Sequence, residues 1–324
     1  MTTWNTMNIP PQHGRSAIVT GTGGLGFETA LALAKAGGDV VLAGRSAEKG
    51  RASVARIKAA IPSAQIAFER LDLASLASVE AFSDRILGAR RRLDLLVNNA
   101  GVMTPPTWQT TSDGFELQFG TNYLGHFALT ARLLPLLQQG HAPRVVNLSS
   151  LAHRSGVIRF DDLHRGRSYK PWASYAQSKL AMLMFALELQ RRSDAAGWGL
   201  MSNAAHPGYA RTDLIPNGPG KDAFLSKLNL LVQPLISHSA ADGALPTLFA
   251  ATSPDAAGAA YYGPDWFFEL KGPPKRAKIA AAAQDEDVAA RLWDVSEQLT
   301  GVAMPTGMAI GRESVRGRMP VLTP

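Results

Sequence analysis

Tyr175 and Lys179 stand four residues apart in "YAQSK", and a phenol and an ammonium at that spacing can do proton chemistry. A free phenol, with a pKa of about 10, exchanges protons poorly at neutral pH. A neighbouring ammonium favours the phenolate and draws that pKa toward the working range. The spacing i, i+4 puts both side chains on one face of a helix, and the apolar pattern predicts a helix near 172–194. Taken alone the pair is common on helix surfaces, so its weight depends on what accompanies it. Small or polar residues at the ends of apolar runs do accompany it: Asn98, Asn99, Ala100 and Gly101 in "LLVNNAG", Ser149 and Ser150 in "VVNLSS", and Pro207 and Gly208 in "HPG", followed by Thr212.

The elements that must position these groups alternate along the chain. Strand-length apolar runs at 16–20, 39–44, 64–73, 93–101, 144–150 and 199–208 alternate with helical patterns near 25–36, 46–60, 75–90, 113–138 and 172–194. Continuous Val, Ile and Leu runs suit a parallel sheet buried on both faces. Repeated β-α units with right-handed crossovers predict one α/β domain, a Rossmann-type doubly wound parallel sheet of about seven strands. In such sheets ligands bind beyond the strands' C-terminal ends, where all the small polar groups fall.

The first strand runs into "TGTGGLG", and the spacing Gly21-x-Gly23-x-x-Gly26 between a strand and a helix fits a dinucleotide loop. Gly21, Thr22, Gly23, Gly24, Leu25 and Gly26 then bring backbone N–H groups to a pyrophosphate at a helix N-terminus. At the end of the second strand no carboxylate is present to take a ribose 2′-hydroxyl; Arg45 stands there instead, suited to a 2′-phosphate. NADP(H) is therefore favoured over NAD(H).

With these motifs in hand, residues 15 to about 300 resemble the short-chain dehydrogenase/reductase family. The matching features are the Thr-Gly loop, Asp72-Leu73, Asn98-Asn99-Ala100-Gly101, Asn122 in "FGTNYLGHF", Ser150, Tyr175 with Lys179, and Pro207-Gly208. The resemblance implies that Tyr175 is the general acid/base, that Lys179 lowers its pKa and holds the nicotinamide ribose, that Ser150 polarises a carbonyl, and that Asn122 anchors a relay water. Ser149 is the alternative to Ser150. The resemblance also implies that Asp72, Leu73, Asn99, Ala100, Gly101, Pro207, Gly208 and Thr212 join the glycine loop around the dinucleotide. His126 and His206 have no role in the family pattern and are expected to be structural.

Two departures refine that picture. The glycine loop is one residue shorter than the family's, so its fit to the other fingerprint is coincidental and the adenosine end is less well determined. Between Ser150 and Tyr175 lie 24 residues, more than the family usually has. With "FDDL", that insertion resembles the branch of retinol dehydrogenases, the WW-domain oxidoreductase and protochlorophyllide reductase. Members there often handle bulky apolar alcohols and carbonyls. The insertion either shapes the substrate pocket or is a surface hairpin. Residues 213–240 are expected to form an apolar lid, with Leu225, Leu228, Leu231 and Leu235 on one face; those leucines fit equally well against a second copy of the chain in a homo-oligomer, or against a membrane surface.

Composition bounds the remaining options. The 324 residues carry 33 Lys and Arg against 26 Asp and Glu, a net charge of +7. The basic residues are scattered and not interleaved with aromatics, which argues against nucleic acid. There is no cysteine, so thiolate-metal sites and disulfides are excluded, and no metal is expected. No apolar run is long enough for a membrane span, and a cytoplasmic protein is the default expectation. Residues 1–14 and 305–324 read as loosely held tails around a catalytic domain at 15–304. The leading expectation is an NADP(H)-dependent oxidoreductase acting on a small hydrophobic alcohol, ketone or aldehyde. The alternative is a non-catalytic dinucleotide sensor on the same fold.

Overall fold

A computed structural model describes residues 3–166, 169–210 and 237–304. Seven parallel strands, β1 (Ser16–Thr20), β2 (Asp39–Gly44), β3 (Ile66–Arg70), β4 (Leu95–Asn98), β5 (Arg144–Leu148), β6 (Met201–Ala205) and β7 (Tyr261–Trp266), form a sheet in the order β3-β2-β1-β4-β5-β6-β7. An eighth strand, β8 (Lys271–Arg276), adds antiparallel to β7. The sequence pattern anticipates β1 to β6 and a sheet of about seven strands, but it places neither β7, whose "YYGPDW" is interrupted by glycine and proline, nor β8, whose "KGPPKR" carries two prolines and no apolar run.

Strict alternation explains the unbroken apolar strands. Ile18, Val41, Leu96 and Val145 point into one core layer, whereas Val19, Leu42, Val97 and Val146 point into the other. The first layer is closed by α3 (Leu76–Ala89), α4 (Gly125–Leu137), α5 (Pro171–Ala196) and α7 (Glu286–Thr300). The second is closed by α1 (Gly24–Lys35), α2 (Ala47–Ala60) and α6 (Ala240–Thr252). Helix boundaries follow local chemistry. Ser46, Ser75 and Asp285 accept backbone N–H groups at the starts of α2, α3 and α7, and Gly197 ends α5 in the left-handed conformation at φ 65°. In contrast, no side chain caps α1, whose start is the glycine loop.

Two expectations need revision. The long helix near 113–138 is α4 preceded by six residues, 119–124, in a wide turn in which the Gly125 N–H reaches back to the Gly120 carbonyl. Residues 3–14 do not hang loose: Trp4 meets Phe249 edge-on at 5.3 Å, and the Gln12 N–H donates to the Ala36 carbonyl at 2.8 Å. The 305–324 tail lies outside the described residues.

Strand order reverses between β1 and β4, opening a crevice at their C-terminal ends. Thr20-Gly21 and Asn98–Gly101 form its two lips.

Candidate active site

Backbone and glycine build the crevice. A Cβ at Gly21 (φ +96°) would lie 2.7 Å from Asn99 Nδ2, and one at Gly26 would collide with the Gly21 carbonyl. Only glycine permits this turn to meet the β4 end so closely. The Thr20 hydroxyl oxygen accepts the N–H groups of Asn99 and Ala100, both at 2.9 Å, and Asn99 Nδ2 donates to the Thr20 carbonyl at 2.6 Å. Behind Thr20 stands His126, its Nε2 at 2.9 Å from the hydroxyl and its Nδ1 at 2.8 Å from the Asn122 carbonyl. Burial lowers the His126 pKa to about 4, so the ring is neutral. A carbonyl can only accept, which assigns the proton to Nδ1 and makes Nε2 the acceptor of the Thr20 hydroxyl. His126 thus bridges the glycine-loop strand to the wide turn carrying Asn122, a link that sequence spacing did not expose.

A cavity of about 590 Å³ opens from this crevice, lined by Gly21–Leu25, Glu28, Lys49, Ser53, Arg56 and Asn99–Gly101. The glycines and the uncapped first turn of α1 fit a dinucleotide's pyrophosphate. Arg45, expected to face a 2′-phosphate, is exposed and does not line the cavity; the cations on the wall are Lys49 and Arg56 of α2. The shortened loop accounts for the difference. Thr22 lies over Gly44, where a Cβ would be 2.7 Å from Thr22 Cγ2, and Ser53 Oγ donates to the Thr22 carbonyl at 2.8 Å. The loop therefore leans onto α2 and the cavity extends along that helix instead of toward the β2 end.

On the other side of the crevice the wide turn presents Asn122. Its Oδ1 accepts the Val102 N–H at 2.7 Å, and its Nδ2 donates to the Val102 carbonyl at 2.9 Å and to Ser178 Oγ at 3.0 Å. The Asn122 side chain thus fastens the loop after β4. A Cβ at Gly101 would lie 3.0 Å from Asn122 Oδ1 and 3.7 Å from Lys179 Nζ, so these three residues share one corner.

Tyr175 and Lys179 occupy the same face of α5, with the ammonium 5.7 Å from the phenol ring centroid. Lys179 Nζ donates to the Leu148 carbonyl at the end of β5 at 3.0 Å. Ser149 Oγ turns away and donates to the Lys179 carbonyl at 2.7 Å, which leaves Ser150 as the hydroxyl beside Tyr175. The acidified phenol expected from the i, i+4 pair is not found in the free chain. Burial raises the Tyr175 pKa to about 12, with Ser150 pulling the other way, and burial lowers Lys179 to about 8. Both groups are removed from water, and desolvation penalises each charged form more than the separated pair repays.

Comparison with known proteins then decides the family. The short chain dehydrogenase family profile matches residues 15–219. This chain belongs to that family. It is 42% identical over 296 residues to retinol dehydrogenase 13 of Homo sapiens, covering 90% of this chain and 86% of the relative. It is 41% identical over 298 residues to polyprenol dehydrogenase of Mus musculus, covering 90% and 86%. A crystallised protein from Mycobacterium paratuberculosis superposes with a TM-score of 0.77 at 39% identity, covering 94% of this chain and all of that one. A short chain dehydrogenase from Burkholderia cenocepacia, solved in complex with NADP, superposes with a TM-score of 0.58 at 26% identity, covering 75% and 92%. The chain is thus a short-chain dehydrogenase/reductase of the retinol dehydrogenase-like branch.

Other residues expected of a short-chain dehydrogenase are placed less centrally. Asp72 Oδ1 accepts the Ala74 N–H at 3.0 Å, and Leu73 is buried in the core beside Gly125. Neither lines the cavity. Gly208 (φ +65°) packs where a Cβ would strike the Leu270 carbonyl, and the Pro207 carbonyl is 2.6 Å from His238 Nε2. Thr212 and lid positions 213–236 lie outside the described residues. Described parts of the insertion are bound into the body and are not a free hairpin. Leu163 is buried and its carbonyl accepts Gln177 Nε2 at 2.9 Å, while the His164 carbonyl accepts Trp108 Nε1 at 3.0 Å and the Tyr169 hydroxyl donates to the Pro105 carbonyl at 2.7 Å.

Proposed function

We propose that this chain is an NADP(H)-dependent oxidoreductase that interconverts a hydrophobic alcohol and its ketone or aldehyde, with Tyr175 as the general acid/base. One observation carries the reading: a buried phenol with a serine hydroxyl beside it and an ammonium on the same helix face, at the sheet edge that also holds a glycine-built cavity. The nicotinamide, when bound, supplies or accepts the hydride.

The chain's own residues divide the remaining tasks. Gly21–Gly26 and the start of α1 bind the pyrophosphate, and Lys49 and Arg56 supply positive charge on the α2 wall for a 2′-phosphate. The NADP complex among solved relatives supports that choice of cofactor. Ser150 donates to the substrate oxygen and Tyr175 exchanges the proton with it, while Lys179 holds the ribose from the floor of the site. Asn122 fixes the loop after β4, so that Gly101 can lie against Lys179.

A phenol with its pKa near 12 is protonated at neutral pH, which suits carbonyl reduction directly. Alcohol oxidation needs the phenolate, so its rate is expected to rise with pH between neutrality and the alkaline range while reduction stays flat.

Relatives named for retinol and polyprenol point to long apolar alcohols as the substrate class. The test is NADPH and NADH oxidation with retinaldehyde, a polyprenal and short water-soluble aldehydes. Turnover that prefers NADPH and the apolar substrates is the expected result. Nucleotide binding without turnover of any of them would instead favour the sensor.

A further inference from the structure

The β7–β8 hairpin ends in "DWFFELK", a tip unlike any other surface of the described chain. Trp266, Phe267 and Phe268 are adjacent and 60%, 56% and 83% exposed. The two phenylalanines pack edge-on against each other at 5.8 Å on the chain reversal, and Phe268 also stands at a cavity of about 610 Å³. Phe267, Phe268 and Glu269 all have left-handed backbones (φ 47°, 58° and 66°), a conformation bulky residues rarely adopt. Contiguous exposed aromatics mark interaction surfaces, and backbone strain at such a tip points to a function for the outward pose.

Charge narrows the occupant. Lys271 pairs with Trp266 across the hairpin, and Lys278 borders the same 610 Å³ cavity as Phe268. Lys275 and Arg276 continue along β8, both exposed. The two acids in the same stretch are Asp265 and Glu269, and Glu269 is taken up by Arg154 at 2.6 Å. Protruding aromatics backed by cations are the pattern of an interfacial anchor, rings at the headgroup level and ammonium groups on anionic lipid.

The tip is also bolted to the active site. Arg154 follows Ser150 by four residues, Glu269 Oε2 is 3.3 Å from His206 Nε2 at the end of β6, and the Leu270 carbonyl accepts the Tyr209 N–H at 2.8 Å. A surface that receives Trp266–Phe268 therefore lies on the catalytic edge of the sheet.

We propose that the β7–β8 tip, Trp266, Phe267 and Phe268 with Lys271 and Lys278 beside them, seats this protein on an anionic lipid surface with its active-site edge toward the bilayer. The docking itself stands apart from the reaction. Only its use, taking an apolar alcohol or aldehyde directly from lipid, rests on the proposed function.

The experiment is flotation of the full chain with phosphatidylcholine vesicles, with and without phosphatidylserine. The expected result is binding that requires phosphatidylserine and weakens with salt. Replacing all three aromatics (W266S, F267S, F268S) is expected to weaken it roughly a hundredfold, and K271E with K278E about tenfold. Thermal unfolding with and without NADPH checks that the variants fold. Should the triple variant unfold, quenching of wild-type tryptophan fluorescence by brominated lipid, lost in Trp266→Phe, reads the same contact. Absence of wild-type binding, equal binding to both vesicles, or an aromatic variant that binds as well as wild type overturns the proposal. So does a fall in molecular mass on aromatic replacement with no change in vesicle binding, which would assign the tip to a second copy of the chain. Failure of the reductase assays alongside intact vesicle binding would remove the reaction and leave the docking in place.

Discussion

The crevice between β1 and β4 and the hairpin beyond β7 lie on the same edge of one sheet but are built by opposite means. The crevice is made of glycines, backbone amides and a buried polar chain from Asn99 through Thr20 and His126 to Asn122, with the hydroxyl and the ring of that chain removed from solvent. The hairpin is made of exposed side chains on a left-handed turn, anchored through Glu269 to Arg154 and His206 and through the Leu270 carbonyl to the Tyr209 N–H. A backbone cradle fixes geometry for a ligand common to a whole family, whereas exposed side chains can vary at little structural cost. The contrast predicts that changes in and beside the crevice damage binding or chemistry, and that changes at the hairpin leave both intact in solution.

Tyr175→Phe tests the catalytic side of the comparison most severely. It removes only the hydroxyl and is expected to lower kcat about a thousandfold with NADPH affinity unchanged, measured by steady-state kinetics and nucleotide titration. Retention of wild-type turnover would break the enzyme reading. Gly26→Ala comes next, because its Cβ meets the Gly21 carbonyl and Asn99 together. NADPH affinity is expected to fall roughly a hundredfold, by the misplacement of a preorganised site, and fluorescence titration reads it.

Lys179→Met separates stability from function. The folded pKa of about 8 lies below the unfolded 10.5, so unfolding takes up a proton between those values and stability rises with pH across that window. Below pH 8 the buried ammonium costs its full amount, and the variant is expected to gain up to about 3 kcal/mol at pH 7 while losing activity. Urea unfolding at pH 7 and pH 10 measures both the gain and its disappearance. The smallest effect is expected from Arg56→Ala, which should weaken NADPH about tenfold and leave NADH unchanged. Arg45→Ala is the control, and a larger effect there would return the 2′-phosphate to the β2 end.

Legibility in the sequence followed the range of the interactions involved. The strands at 16–20 and 39–44 are read without error because burial on both faces demands continuous Val, Ile and Leu, a signal contained in the run itself. Tyr175 and Lys179 are legible because one helical turn joins them. Lys49 and Arg56 look like solvated helix residues, and only the loop's lean onto Ser53 puts them on a cavity wall. Likewise, the phenol's acidity inferred from spacing had the opposite sign, since spacing reports a neighbour but not the depth of burial.

Sequence alone determined the alternation of strands and helices, the glycine turn and the residues able to exchange a proton, because each of these depends on neighbours within a few positions. Tertiary structure decided which serine faces Tyr175, what fills the hydrogen-bonding capacity of Asn122 and His126, and where a proline-bearing strand could add to the sheet. Those outcomes join residues far apart in the chain, and the deciding quantity in each is exclusion from water, which exists only once the layers have closed.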